Sequence, residues 1–151
     1  MYIETAVVED AQAILTLQKL CYQSEAAIYN DYHIPPLTQT LEELRSGFRS
    51  HVFLKALNNG DIVGSVRACL EGDTCLIGRL IVHPDFQNRG IGTELMRSIE
   101  RRFPDTHRYE LFTGNRSKKN IKLYDTLGYR EFKEKSLTPQ VTIIYMEKVA
   151  R

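Results

Sequence analysis

Residues Gln87-Asn88-Arg89-Gly90-Ile91-Gly92 bring a guanidinium, two amide side chains and two glycines together within six positions. Just beyond them Ile91, Leu95, Ile99 and Phe103 recur at every fourth position. That spacing predicts a helix beginning near Gly90 and ending before Pro104. The first N–H groups of a helix have no partner inside it, and the macrodipole adds partial positive charge at the same end. Gly90 and Gly92 carry no side chain that would keep a ligand off the backbone. Phosphate recognition is the chemistry this arrangement favours. Arg89 supplies a charged donor, Gln87 a neutral one, and Thr93 a hydroxyl at the helix start.

Two well-known phosphate loops do not match. A P-loop needs a lysine followed by Ser or Thr after its second glycine, and Ile91-Gly92-Thr93 has no lysine. A dinucleotide fingerprint needs a third glycine where this chain has Leu95. A glycine-rich turn without a ligand is the plainer alternative. The pattern that remains is Q/R-x-x-G-x-G/A, and the run from Arg79 through Val82, His83, Pro84 and on to Gly92 resembles the pyrophosphate loop of the GNAT superfamily. The stretch Asn115–Tyr129, with Asn120, Tyr124 and Leu127-Gly128-Tyr129, is similar to that family's second coenzyme segment. The specific likeness covers about residues 76–129; outside them only the order of elements matches.

The resemblance implies an acetyl-CoA-dependent N-acetyltransferase, with acetyl-CoA as co-substrate and no metal. It implies that Gln87, Asn88, Arg89, Gly90, Ile91, Gly92 and Thr93 hold the pyrophosphate. Asn120 would bond the pantetheine arm, and the backbone of Leu80, Ile81 and Val82 would meet the pantetheine and the acetyl carbonyl. Tyr124 would lie near the thioester sulfur, as cofactor contact and catalytic acid. A tyrosine of reference pKa ~10 stays protonated at neutral pH and can donate to a thiolate. Taken alone, a helical tyrosine three residues before Leu127 would suit packing on a sheet. No general base is identifiable; Glu71 and Asp73 sit at a strand turn, where solvated carboxylates are commoner. Lys118 and Lys119 can reach phosphate or simply face water. A non-catalytic acyl-CoA-binding or regulatory module is the alternative function.

The elements that must position these residues read as α+β, over one domain spanning 1–151. Residues 2–6 form a short strand, and Glu9-Asp10 opens a helix with Ala13, Ile14, Leu17, Leu20 and Cys21 on its apolar face. Residues 23–39 are irregular, with Ile34-Pro35-Pro36 breaking any helix there. Thr40 and Glu43 resemble a capping box for a helix over 41–49. Strand 52–57 turns at Asn58-Asn59-Gly60-Asp61. The next strand places Ile62, Gly64, Val66, Ala68 and Leu70 on one face, with Val63, Ser65, Arg67 and Cys69 on the other. After the turn at Glu71-Gly72-Asp73, Leu76, Gly78, Leu80 and Val82 share a face. Strand 109–112, a helix from Ser117 through Leu127 with Gly128 at its end, and strands near 129–134 and 141–147 follow. The expected GNAT fold is a mixed, mostly antiparallel sheet of about six to seven strands with about four helices. Its fourth and fifth strands are parallel and splayed.

Composition is that of an ordinary globular chain: 42% hydrophobic, 26% charged and a net charge of +1 over 151 residues. That balance argues against nucleic acid or membrane partners. There is no apolar run of the length that spans a bilayer, and Met1-Tyr2-Ile3-Glu4-Thr5 lacks a signal-peptide layout, so a cytoplasmic location is expected. Cys21, Cys69 and Cys75 read as reduced thiols and small core residues. His33, His51, His83 and His107 are too scattered for a zinc site. By resemblance, the Tyr22–Leu41 region shapes the acceptor pocket together with the last hairpin. Its Glu25, Tyr29 and Tyr32 suit a cationic amine of a small molecule or peptide, or alternatively an amphipathic segment packed on the domain. Exposed edge strands are compatible with a monomer or a homodimer.

Overall fold

A computed structural model describes residues 1–150. The order is β1 (Tyr2–Thr5), α1 (Ala11–Tyr29), α2 (Pro35–Thr38), α3 (Leu41–Gly47), β2 (Val52–Asn58), β3 (Asp61–Glu71) and β4 (Thr74–Val82). Then come α4 (Ile91–Arg101), β5 (Arg108–Gly114), α5 (Lys118–Thr126), β6 (Arg130–Ser136) and β7 (Thr142–Val149). The strands make one seven-stranded sheet in the order β1-β2-β3-β4-β5-β7-β6. All neighbours are antiparallel except β4 and β5, which the α4 crossover joins in parallel.

One sheet face carries α4. Ile91, Leu95, Met96 and Ile99 of that helix are buried against Leu54, Val66, Ala68, Cys75 and Ile77. Burial of each such aliphatic side chain contributes about 1.5–3 kcal/mol. The other face packs Ala11, Ile14 and Leu15 of α1 and Leu44 of α3 on Phe53. The capping box is present: Glu43 N–H donates to Thr40 Oγ1 at 3.1 Å, and Thr40 N–H to Glu43 Oε1 at 2.8 Å.

Several expectations are corrected. Helix α1 continues unbroken to Tyr29, because Ala26 and Tyr29 are buried and hold its last turn down. Its inner face is Ile14, Leu15, Leu17 and Gln18; Leu20 lies 45% exposed. The two prolines start a helical turn instead of breaking one, with Pro35 first in α2, where a missing N–H costs nothing. That turn brings the number of α-helices to five.

The β-strand faces depart from simple alternation because the sheet holds bulges. Between β2 and β3 the pairing steps from Ala56↔Gly64 to Leu57↔Ile62, leaving Val63 as the extra residue. Ile62 therefore packs on the α1 side while Val63 joins the α4 side. Between β3 and β4 it steps from Ser65↔Ile81 to Arg67↔Gly78. Arg79 there has φ +52°. This bulge puts Cys75 and Ile77 before it, and Leu80 and Val82 after it, on the same α4 side. Leu76 and Gly78 thus do not share a face with Leu80 and Val82.

Candidate active site

The two segments singled out in the sequence meet at one end of the sheet. β4 and β5 pair only through Thr74↔Arg108, Cys75↔Tyr109 and Leu76↔Glu110. Beyond those pairs β4 continues to Val82 and β5 to Gly114 without bonding to each other. The chain then turns through Asn88 at φ +63° and Gly90 at φ +82° into α4. Glu94 N–H makes the first helical bond, to Gly90 C=O at 3.0 Å. Among the described residues the N–H groups of Ile91, Gly92 and Thr93 donate to no backbone carbonyl outside the helix. They can be offered to an anion.

Gly92 lies between the two motifs. A Cβ on it would stand 3.5 Å from Leu123 of α5, 3.8 Å from Val82 and 3.9 Å from Leu80. A larger side chain would therefore fill the groove bounded by α4, α5 and the free end of β4. Across the same seam Lys119 Nζ donates to Gln87 Oε1 at 2.9 Å, and Gln87 Nε2 to the Val82 carbonyl at 3.2 Å. The Cys21 thiol of α1 also donates to that carbonyl, at 3.3 Å. Arg89 stacks its guanidinium 5.1 Å from the centre of the Phe86 ring. It has no carboxylate within salt-bridge distance among the described residues. The donor set fits a pyrophosphate: open helix N–H groups, one guanidinium, and a groove that a small residue at Gly92 leaves clear.

Tyr124 is 6% exposed and packs edge-on against Tyr129, ring centres 6.1 Å apart. No side chain or backbone group bonds its hydroxyl, and no buried polar atom among the described residues lacks a partner. The hydroxyl therefore still touches open space. Burial, with Tyr22 and Glu25 beside it, holds its pKa above the usual phenol value. It is a neutral acid at physiological pH.

Glu25 and Tyr29 are committed to the protein itself. Arg116 N–H donates to Tyr29 Oη at 2.8 Å, Tyr29 and Ser117 hydroxyls meet at 2.8 Å, and Ser117 Oγ donates to Glu25 Oε2 at 2.5 Å. The other oxygen of Glu25 accepts from Asn120 Nδ2 at 3.1 Å. This relay pins α1 to the start of α5. Tyr32 stands apart, 51% exposed. Glu71 and Asp73 lie where β4 begins, at its paired end, a strand's length from Val82. The thiols are poor nucleophiles: burial raises Cys21 to about 11 and Cys75 to about 12, and raises Cys69 too.

Four residues that were not among the candidate site residues stand on the α1 side: Tyr22, Gln39, Arg67 and Arg79. Arg79 Nη1 donates to Gln39 Oε1 at 3.0 Å, and Gln18 Nε2 donates to the same oxygen at 2.9 Å. The bulge aims Arg79 toward this side. Gly78, a glycine inside a strand, was the available signal for that bulge.

Comparison with known proteins agrees with this geometry. The model of the acetyltransferase (GNAT) family matches residues 11–129. An acetyltransferase of Pectobacterium atrosepticum is 31% identical over 94 residues, covering 62% of this chain and 61% of that protein. The UPF0157 protein YqkA of Bacillus subtilis is 26% identical over 121 residues, 80% of this chain but 35% of its own length. The match to each of these relatives thus spans less than two thirds of the relative. Among solved structures, the PaiA N-acetyltransferase of Thermoplasma acidophilum in complex with coenzyme A superposes with a TM-score of 0.78 at 17% identity, over 99% of this chain and 100% of that one. A ribosomal-protein-alanine N-acetyltransferase of Brucella melitensis gives 0.77 at 20% identity, with the same coverage of both chains. These two likenesses speak for the fold. The family match spans most of the chain, and the protein belongs to the acetyltransferase (GNAT) family.

Proposed function

We propose that this chain is a single-domain, cytoplasmic N-acetyltransferase that moves the acetyl group of acetyl-CoA to a primary amine of a small molecule or peptide. The observation that carries the reading is the meeting of the open α4 start at Gly92 with Leu123 of α5 and with Leu80 and Val82, where β4 has parted from β5. The unpartnered Tyr124 hydroxyl, next along α5, supports it. The pyrophosphate is held by the N–H groups of Ile91, Gly92 and Thr93, with Gln87, Asn88, Arg89 and Gly90 shaping the turn. Leu80, Ile81 and Val82 present backbone groups to the pantetheine and the acetyl carbonyl. Asn120 reaches the pantetheine from α5 once its bond to Glu25 is shared.

The neutral amine attacks the thioester carbonyl directly. A C–N bond forms, the C–S bond breaks, and the thiolate takes the Tyr124 proton. The surplus proton of the amine leaves to water, and Tyr124 is reprotonated from solvent. The raised thiol pKa values leave no cysteine prepared to carry the acetyl group.

The test is calorimetric titration with acetyl-CoA, followed by thiol-release assays over a panel of primary amines. The account expects acetyl-CoA binding and turnover with at least one amine class. ATP or NAD binding in place of acetyl-CoA would refute it, and binding with no turnover anywhere in the panel would leave a non-catalytic module.

A further inference from the structure

The acceptor side of the cleft is electropositive, opposite to the expectation from Glu25 and the tyrosines of α1. Arg67 of β3 pairs in register with Gly78, next to the bulged Arg79 of β4. Both side chains lie on the α1 face: Arg79 bonds Gln39 there, and Arg67 Nη1 comes within 3.8 Å of the Cβ position of Gly47 in α3.

Both arginines are half-buried. Among the described residues neither has a carboxylate within 4.0 Å. The one side-chain partner of Arg79 is the neutral Gln39. Among the described residues Arg67 makes no side-chain hydrogen bond, yet no buried polar atom is without a partner, so its guanidinium nitrogens reach open space.

The pair crowds its surroundings with positive charge. Burial comes first in lowering the pKa of each arginine, and the charge of Arg79 adds to it at Arg67. Burial and then the same two guanidinium groups hold His51 below its usual value. Both also act on the phenol of Tyr22, which burial pushes to about 12. Tyr22 in turn acts on Tyr124. The charges of Arg67 and Arg79 thus act on Tyr22, and Tyr22 acts on Tyr124.

Glu25, the nearest acidic side chain of α1, is bound to Ser117 and Asn120 and does not neutralise the pair. The backbone also supports a specific role for Arg79. A bulky residue in the left-handed region is uncommon and costs energy, and here it turns a guanidinium from the α4 face to the α1 face.

We propose that Arg67 and Arg79 receive an oxyanion carried by the amine acceptor, a carboxylate or a phosphate, making the natural substrate an acidic amine. Two guanidinium forks match the paired oxygens of either group. Arg79 stands on β4 directly before Leu80, Ile81 and Val82, so the amine of a short substrate is held toward the thioester while its anionic end stays on the arginines. This assignment rests on the acetyltransferase reading above.

The experiment compares matched acceptors with acetyl-CoA held saturating: free α-amino acids against their amides, and O-phosphoethanolamine against ethanolamine. Wild-type protein, Arg67→Gln, Arg79→Gln and Arg79→Lys are each assayed for kcat and KM, with acetyl-CoA affinity measured in parallel. The inference expects at least one anionic acceptor to exceed its neutral partner about 100-fold in kcat/KM. Each Gln variant raises the KM of that acceptor by about 10- to 100-fold, the loss of one charged hydrogen-bonding group. Acetyl-CoA affinity stays within about twofold, which also shows that the variants fold, and Arg79→Lys recovers part of the loss. Whichever arm responds identifies carboxylate or phosphate.

Neutral amides and ethanolamine turning over as well as their anionic partners would overturn the inference while leaving the acetyltransferase reading intact. So would Gln variants that keep the discrimination, or coenzyme binding with no anionic amine accepted. Failure of wild-type protein to bind acetyl-CoA would remove both.

Discussion

The two halves of the cleft are built on different principles. The half formed by the β4–α4 turn and α5 relies on backbone: open N–H groups, Gly90 at φ +82° and a groove cleared by Gly92. Its residues lie close together in sequence. The half under α1 relies on side chains distant in sequence: Tyr22 of α1, Arg67 of β3, and Arg79 of β4, which the bulge turns to Gln39 just after α2. A site made of helix-start N–H groups can recognise one ligand class across many sequences. A site made of side chains from distant elements can be changed one residue at a time.

The seam between the halves is the most sensitive place to break them apart. A Cβ on Gly114 would collide with the Tyr29 hydroxyl, inside the relay to Ser117 and Glu25. Gly114→Ala is expected to cost up to about 3 kcal/mol through overpacking, read as a lower midpoint in urea unfolding at unchanged slope. A change below about 0.5 kcal/mol, within the range of neutral surface substitutions, would mean that the relay does not join α1 to α5 tightly.

A smaller effect should isolate the coenzyme half. Gly90→Val forces a β-branched residue into the left-handed region, at about 1–3 kcal/mol of strain. Acetyl-CoA affinity is expected to fall about 10-fold or more, measured by calorimetry, with a smaller change in acceptor KM. Equal losses on both sides would contradict the independence of the halves.

In the acceptor half, Gln39→Ala removes the oxygen shared by Gln18 and Arg79. The expectation is about 1 kcal/mol of stability and a several-fold rise in acceptor KM, with acetyl-CoA affinity unchanged.

The pH profile separates the halves with the least perturbation. Tyr124 holds its proton more tightly folded than unfolded, burial being the first cause. Its contribution to stability is present below its ordinary pKa of ~10 and is lost as pH rises through the higher folded value. The rate should climb with pH as the acceptor amine deprotonates, with no decline from Tyr124 until pH exceeds about 10. A decline beginning near pH 8 would identify a different acid.

What the sequence disclosed follows the same division. The loop Gln87–Gly92 was legible because glycines, a following helix period and the absent P-loop lysine are all local signals. The capping box of Thr40 and Glu43 was legible for the same reason. The faces of β3 and β4 were not, because one extra residue at Val63 and another at Arg79 reverse the alternation, and a bulge leaves little mark beyond Gly78. Pro35 and Pro36 read as a break because proline both ends and begins helices, and only the preceding chain path decides which. Glu25 and Tyr29 read equally as ligand contacts or as packing on the domain, because Ser117, which bonds both, lies 92 and 88 positions away.

The most direct measurement of the central claim is the kcat of Tyr124→Phe, taken from pH 6 to 10 beside its acetyl-CoA affinity. The substitution keeps the ring packed on Tyr129 and removes only the hydroxyl. The account predicts a kcat lower by about 100-fold or more at every pH, with acetyl-CoA affinity within about twofold. A variant as active as the wild type across that range would show that Tyr124 does not protonate the leaving thiolate.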